Sequence, residues 1–390
     1  MYRNTRIGEL LKGLSRGSFD RLVTKRQADK HTKGFSSWNH LVSMIYAQLG
    51  GHRSLRDVET GFNSQASEHY HLGCQPIKRS TLADANCQRD AGLFAEVCQQ
   101  LMRQVNRKLR GELKTLLYLL DSTSVTLKGL GYDEWTEGSR TRHTQGIKLH
   151  LLISAHDTLP HYCNITNANV NDVTDAANIE IAENAIYAFD KGYCDYNWWH
   201  EIEEKGALFV TRYKNNASLV LITAREIPVA DRDSVLSDQI VRFKNKHPGG
   251  NRINHYEKPL RRVVIARPDH DAPLILATND MTSSALKIAE HYKKRWCIEL
   301  FFKWIKQNLK IRKFLGRSEN AVKIQIYSAL ISYLLIALYR HTHGLKRSMK
   351  STLVLIKSTL FQRPETEQHR LKRRRRKAQE EARQQQMYLI

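Results

Sequence analysis

A chain of 390 residues is longer than one hydrophobic core usually organises, so two or three structural units are expected. Apolar residues at 41% and charged residues at 26% suit a folded chain and rule out wholesale disorder. The 62 Lys and Arg outnumber the 39 Asp and Glu, and the net charge of +23 points to a polyanionic partner, nucleic acid before an anionic membrane.

The membrane reading is the weaker one. The longest apolar run, 327–339, falls short of the ~20 residues of a spanning helix and contains Ser328 and Ser332. The N-terminal Met1-Tyr2-Arg3-Asn4-Thr5-Arg6 lacks the charged-then-apolar layout of a secretory signal. Cys74, Cys87, Cys98, Cys163, Cys194 and Cys297 form no Cys-x-x-Cys pair, which argues against a disulfide framework or a structural zinc. The 17 histidines show no His-Glu-x-x-His spacing. The expectation is a nucleic-acid-facing protein of the cytoplasm, associated with the nucleoid.

In chain order, Trp38, Leu41, Val42, Ile45 and Leu49 predict a helix over 35–49, stopped by Gly50-Gly51. A short helix over 54–60 takes Ser54 as its cap. Helix, glycine turn and helix suit a DNA-binding helix-turn-helix with Arg53 and Arg56 near the turn, and equally an ordinary helical hairpin. Ser80 reads as the cap of a longer helix toward Arg103.

Near Leu116 the pattern changes. Residues 116–120 are an unbroken apolar run, as in a strand buried on both faces, and it stops at Asp121-Ser122-Thr123. Runs at 146–154 and 159–166, joined by His156-Asp157-Thr158, predict a hairpin. A helix over 174–183 comes next, then an apolar strand over 185–189 that also ends on a carboxylate, Asp190. Residues 195–204 read as helix and 207–211 as strand. From 212 to 280, apolar runs at 219–222, 263–266 and 274–277 and the turn Pro248-Gly249-Gly250-Asn251 predict a β-rich region. Helices over 284–309 and 321–341 follow. The run Lys372-Arg373-Arg374-Arg375-Arg376-Lys377 is a sequence-independent phosphate contact or a solvated tail.

The helix over 284–309 is the informative one. At ~100° per residue, Tyr292, Arg295, Glu299, Lys303 and Lys306 share one polar stripe, with Ile298, Phe302, Ile305 and Leu309 on an apolar stripe beside it. Trp296, Phe301, Phe302 and Trp304 read as core packing. A lone carboxylate among cations is either a solvated face of i,i+4 pairs or a metal-holding group on a phosphate-binding surface. Asp121 and Asp190 favour the second. A carboxylate at the margin of a buried sheet must be paired, protonated or metal-bound, and neighbouring strands ~4.8 Å apart let two strand ends converge. Three carboxylates suit Mg²⁺ or Mn²⁺, two of which would serve phosphodiester displacement. Asp157, Asp172 and Asp175 lie nearby as rivals.

Tyr292, two residues, Arg295, three, Glu299, six, Lys306 resembles the Y-(2)-R-(3)-E-(6)-K signature of the DDE transposases of the insertion-sequence-four family. Asp190-Lys191-Gly192-Tyr193 resembles the family's second motif, with Lys191 where Arg is common, and Leu119-Leu120-Asp121-Ser122-Thr123 its first. The likeness covers about residues 110–340, and the stretch 35–59 looks like the helical domain that precedes the core in a subset of the family. It implies an α/β fold: an RNase H-like mixed sheet with flanking helices, a β-rich insertion and an all-α N-terminal domain. The implied division is a helical DNA-binding domain at 1–110, a catalytic domain at 111–211 and 281–345, the insertion at 212–280, and a C-terminal helix and basic tail at 346–390.

The same resemblance implies that Asp121, Asp190 and Glu299 are catalytic and hold two Mg²⁺ or Mn²⁺ ions, while Tyr292, Arg295 and Lys306 hold DNA phosphates. The implied activity is binding of terminal inverted repeats, metal-dependent cleavage and strand transfer into target DNA, by a homodimer in the synaptic complex and without a membrane. No tryptophan lies between Trp199 and Trp296, so Phe243 and Tyr256 are the rings left to stack a flipped base in the insertion, and a hairpin route stays open. The alternatives are a catalytically inactive or domesticated DNA-binding protein, and a nuclease of the same fold.

Overall fold

The computed structural model describes residues 5–109, 116–138, 144–214, 217–247, 253–268, 270–309, 311, 313–363, 375–376 and 378–380. The chain forms two compact units, Met1–Ala83 with Leu335–Ile390, and Asp84–Leu334. These divisions differ from the boundaries expected at 110 and 345. The stretch 84–109 joins the second unit because its helix packs on that unit's sheet, and the second division falls inside a continuous helix. The turn expected at 248–251 and most of the basic run 372–377 lie outside the described residues.

The first unit is helical: α1 (Arg6–Leu11), α2 (Arg16–Lys25), α3 (Ser37–Gly50), α4 (Leu55–Asn63), α5 (Ala66–Leu72) and the start of α6 (Arg79–Gln88). Ser36 caps α3 by accepting from Asn39 N, and Gly51, at φ 70°, ends it in the left-handed conformation that favours glycine. Every residue from Ser37 to Leu49 is buried, so α3 is the unit's central rod. α4 opens with a capping box between Ser54 and Asp57, and its Phe62 ring meets Tyr46 of α3 at 5.3 Å. Arg53 and Arg56 are exposed beside that turn.

The second unit is built on one sheet. In chain order its elements are α7 (Gly92–Leu109), β1 (Leu116–Thr126), β2 (Glu137–Gly138), β3 (Gln145–Ser154), β4 (Pro160–Asn167), α8 (Asp172–Ala176), β5 (Ala185–Phe189), α9 (Tyr196–Glu204), β6 (Leu208–Arg212), β7 (Leu219–Ala224), β8 (Val235–Phe243), β9 (Leu260–Ile265), β10 (Leu274–Thr278), α10 (Ala285–Lys294) and α11 (Trp296–Asn308). α12 (Glu319–Thr342) runs from this unit into the first, where α13 (Met349–Ser358) follows. β4, β3 and β1 are antiparallel neighbours, and β1, β5 and β6 are parallel. Three antiparallel strands followed by two parallel ones, in the order β4-β3-β1-β5-β6, is the RNase H-like fold.

β6 then pairs antiparallel with β10, and β9, β8 and β7 continue outward. The β-rich insertion therefore extends the catalytic sheet. Arg261, 1% exposed, joins it to α10: its guanidinium donates to both Asp238 oxygens at 2.7–2.8 Å and to the carbonyls of Asp280 and Ser283, just ahead of that helix.

Alternation along the strands sorts the core into two faces. Tyr118, Leu120, Tyr187 and Phe189 pack with Trp198, Trp199 and Ile202 of α9 on one face. Leu117, Ile186 and Val210 pack with Ile288 and Tyr292 of α10 on the other.

Several elements depart from expectation. The strand from Leu116 does not stop at Asp121 but runs to Thr126, carried by β3, which pairs with it throughout. The helix expected over 174–183 is only α8, and the one from Ser80 to Arg103 is two helices, the second starting where Asp90 accepts from Gly92 N. β8 was not expected: its alternating Val235-Leu236-Ser237-Asp238-Gln239 lacks an apolar run. α12 is 24 residues long and, among the described residues, is the one helix long and apolar enough to cross a membrane; 94% of its apolar window is buried inside the protein, as in a core helix.

Candidate active site

Five rungs pair β1 with β5, from Leu116 opposite Ala185 to Leu120 opposite Phe189. Asp121 and Asp190 are the next residue on each strand. The pleat turns Asp121 to the same face as Leu117, the side covered by α10. Asp190 continues its strand in extended backbone, and its Oδ1 accepts from Gly192 N at 2.7 Å, starting a 3₁₀ turn over Lys191–Tyr193. A Cβ on Gly192 would stand 2.8 Å from that oxygen, which is why the third residue of the motif carries no side chain.

The single long helix expected over 284–309 is two helices meeting at Arg295. Arg295 N bonds Tyr292 O and Ile298 N bonds Arg295 O, both three-residue turns, which advance by more than ~100° per residue. The extra rotation takes Tyr292 off the predicted polar stripe and into the core, 8% exposed, with Arg295 against its ring at 5.9 Å. Arg295, Glu299 and Lys306 stay toward β1. Arg295 bridges two acids, donating to Asp121 Oδ2 at 3.2 Å and to Glu299 Oε1 at 2.6 Å. Lys306 Nζ donates to Thr123 Oγ1 at 2.5 Å and Ser124 O at 3.2 Å, tying α11 to the extension of β1 beyond Asp121.

The electrostatics show how crowded the acids are. Burial pushes the Asp121 carboxyl up to about 7, the charges of Asp190 and Glu299 push the same way, and the Ser122 amide and Arg295 oppose them. Asp121 thus feels both other acids, and one guanidinium bridges two of the three, Asp121 and Glu299. Among the described residues no three His, Cys, Asp or Glu side chains stand at metal-ligating spacing. The donors are nonetheless all carboxylate oxygens with excess negative charge, the chemistry that takes a hard divalent cation.

The rival acids are otherwise engaged. Asp157 accepts from Leu159 N in the β3–β4 turn. Asp172 is buried against Lys148 and Ser122, and Asp175 against Tyr162 and Asn164. Aromatic residues also fall differently from expectation. Tyr256 is 2% exposed with its hydroxyl on Glu203, so its ring is not free to take a base, and Phe243 is half-buried against Tyr196 at 4.3 Å. Phe301 and Phe302 are buried as expected, but Trp296, read as core, is 58% exposed with Leu300 beside it. A tryptophan on the helix that bears Glu299, immediately after Arg295, is the feature the sequence reading missed.

Residues 112–335 match the transposase DDE domain family, and residues 2–75 match a domain of unknown function, DUF4372. A relative from Sinorhizobium fredii named as a transposase, y4zB, is 39% identical over 72% of this chain and 77% of its own length. A relative named as a transposase for the insertion sequence element IS4SA of Synechocystis is 27% identical over 69% of this chain and 73% of its own. One from Geobacillus stearothermophilus, named for element IS5377, is 30% identical over 63% and 61%. Among solved structures, the piggyBac transposase synaptic complex with hairpin DNA superimposes with a TM-score of 0.45 at 11% identity, over 93% of this chain and 81% of that one.

Proposed function

Because this chain belongs to the DDE transposases, enzymes of DNA transposition that depend on a divalent metal, we propose that Asp121, Asp190 and Glu299 are its catalytic acids and together hold two Mg²⁺ or Mn²⁺ ions. The observation behind this reading is the shared register: two aspartates one step past the last paired rung of β1 and β5, with Arg295 linking the first to Glu299. When bound, the ions activate a water or a 3′-hydroxyl and stabilise the leaving oxygen.

The chain's own residues do the rest. The sheet fixes both aspartates on its backbone, and α11 brings Glu299 over the face to which Asp121 points. Arg295 balances Asp121 and Glu299 while they lack another counter-charge, and its planar fork then suits a scissile-strand phosphate. Lys306 offers a point charge alongside. Tyr292 supports the Arg295 stem from the core, a more indirect part than a phosphate contact. Trp296 presents an exposed ring to a base of the DNA. The substrates are the terminal inverted repeats and target DNA, joined within a homodimeric synaptic complex in the cytoplasm, at the nucleoid.

The test uses supercoiled plasmid carrying the element's ends, and separately pre-cut ends with free 3′-hydroxyls. The expected result is Mg²⁺-dependent cleavage and joining by the wild-type chain, with Glu299→Gln binding ends but doing neither. Wild-type binding without any cutting would make it a DNA-binding protein, and cutting without joining a nuclease.

A further inference from the structure

Behind Asp121, on the face of the sheet away from α10, lies a buried polar layer that the proposed chemistry does not use. Cross-strand pairing sets Ser122 opposite His150 and Ser124 opposite Lys148, and α8 lays Asp172 and Asp175 over them. Lys148 Nζ donates to Val170 O at 2.6 Å and to Asp172 Oδ1 at 3.0 Å, with side-chain exposures of only 5% and 8%. The same Asp172 oxygen accepts from Ser122 Oγ at 2.7 Å. His150 Nδ1 lies 3.8 Å from Asp172 and 3.6 Å from Asp175, and its Nε2 meets Thr166 Oγ1 at 2.8 Å. Asp175 also accepts from Tyr162 OH at 3.1 Å and Asn164 Nδ2 at 2.5 Å.

We propose that Asp172, with Lys148 as its counter-ion, is a positioning residue that sets Asp121 and Asp190 for metal binding. This rests on reading those two aspartates as metal ligands. Asp172 bonds the residue after Asp121 and lies beside the turn that holds Asp190. Ser122 follows Asp121 in the chain. Gly192, whose amide holds Asp190, is so close that a Cβ there would stand 3.4 Å from Asp172 Oδ2. One buried carboxylate thus stands behind both aspartates, bonded beside the first and packed beside the second. Stability does not account for it, because a buried Lys–Asp pair gains little over apolar residues of similar volume. What the pair supplies is direction, through charge-assisted bonds that hold Asp172, which fixes Ser122 by a hydrogen bond and the turn at Gly192 by packing beside it. Groups that orient metal ligands in this way typically change metal affinity about 10–100-fold when lost.

The experiment compares wild type, Asp172→Asn and the charge-free pair Lys148→Met/Asp172→Leu, with Asp121→Asn as reference. Direct Mn²⁺ binding to the protein on pre-cut ends is measured beside thermal stability, end binding and the Mg²⁺ concentration for half-maximal cleavage. The double variant covers the case in which Asp172→Asn, leaving Lys148 charged and buried, fails to fold. Expected for the double variant are a wild-type melting temperature, unchanged end affinity, and Mn²⁺ affinity and half-saturating Mg²⁺ both worse by about 10–100-fold, with cleavage restored at high metal. Metal affinity within twofold of wild type would overturn the positioning role, and so would cleavage lost at every metal concentration. If Asp121→Asn binds Mn²⁺ like wild type, the metal-ligand reading fails instead, whatever the double variant does.

Discussion

The two halves of the sheet differ in what their strands bury. In the RNase H-like half, β3 and β5 are enclosed on both faces; Asp190 follows the end of β5, and Asp121 follows the buried stretch Tyr118–Leu120 within β1. In the insertion, β7 is exposed along most of its length, with Leu221 54% and Ile222 49% exposed, and β8 alternates. One half is built to hold charges still. The other attaches through the β6–β10 pairing, a few buried side chains such as Val263, Tyr256 and Leu276, and the buried ion pair at Arg261. The difference teaches that continuity of hydrogen bonding does not make a sheet uniform in function: rigidity follows enclosure.

The largest effect should separate the halves by chemistry. Asp190→Asn is expected to lower cleavage by about 10³-fold or more, equivalent to ~4 kcal/mol of lost barrier reduction, while Leu221→Thr on the insertion's edge leaves the rate within twofold. Comparable losses in a plasmid-cleavage assay would mean that the insertion takes part in the chemistry. Next comes the joint. Arg261→Met leaves buried Asp238 with only the looser ion pair to Arg225 at 3.7 Å, at a cost of up to about 3–5 kcal/mol, and Arg261→Met/Asp238→Leu should recover much of it in thermal unfolding. A single variant as stable as wild type would show that the halves hold together without it.

A smaller effect sharpens the contrast through pH. Asp121 is held up to about 7, above its ordinary carboxyl value, so the folded chain retains this proton longer than the unfolded chain. The stability this proton contributes is full below pH ~4 and lost as pH rises through ~7. In chelator, Asp121→Asn should therefore be more stable than wild type by roughly 2–4 kcal/mol at pH 8, less at pH 5, and Mg²⁺ should narrow the gap. Equal melting curves at pH 8 would show that the acids are not crowded. The smallest effect is on DNA: Lys306→Gln should reduce the salt dependence of end binding by about one counterion, and an unaltered slope would leave Lys306 only as a tie to β1.

Legibility follows the same division. Buried strands announce themselves as apolar runs, so β1, β3, β5 and β6 could be placed from sequence, and with them Asp121 and Asp190. β8 could not, because Asp238 sits in it as the partner of Arg261, a pairing 23 residues apart that no local pattern displays. Helical spacing brought Arg295, Glu299 and Lys306 to one side but misplaced Tyr292, because the wheel assumes one pitch and the chain tightens at Arg295. Trp296 hides for another reason: an aromatic ring reads as core, although helical spacing sets it ~40° from Tyr292, beside Lys303. The brace at Asp172 was visible only as a rival acid, since its meaning depends on Ser122 and Gly192 arriving from two other elements.

The five rungs between Leu116–Ala185 and Leu120–Phe189 have a consequence for how such a chain can change over time. Because successive residues of a strand point to opposite sides, adding or deleting one residue within either segment would swing one aspartate through the sheet and out of its partner's company. Length changes in the connections carry no such penalty. Drift in this lineage should therefore gather in its loops and spare the spacing of ten residues, whatever their identity.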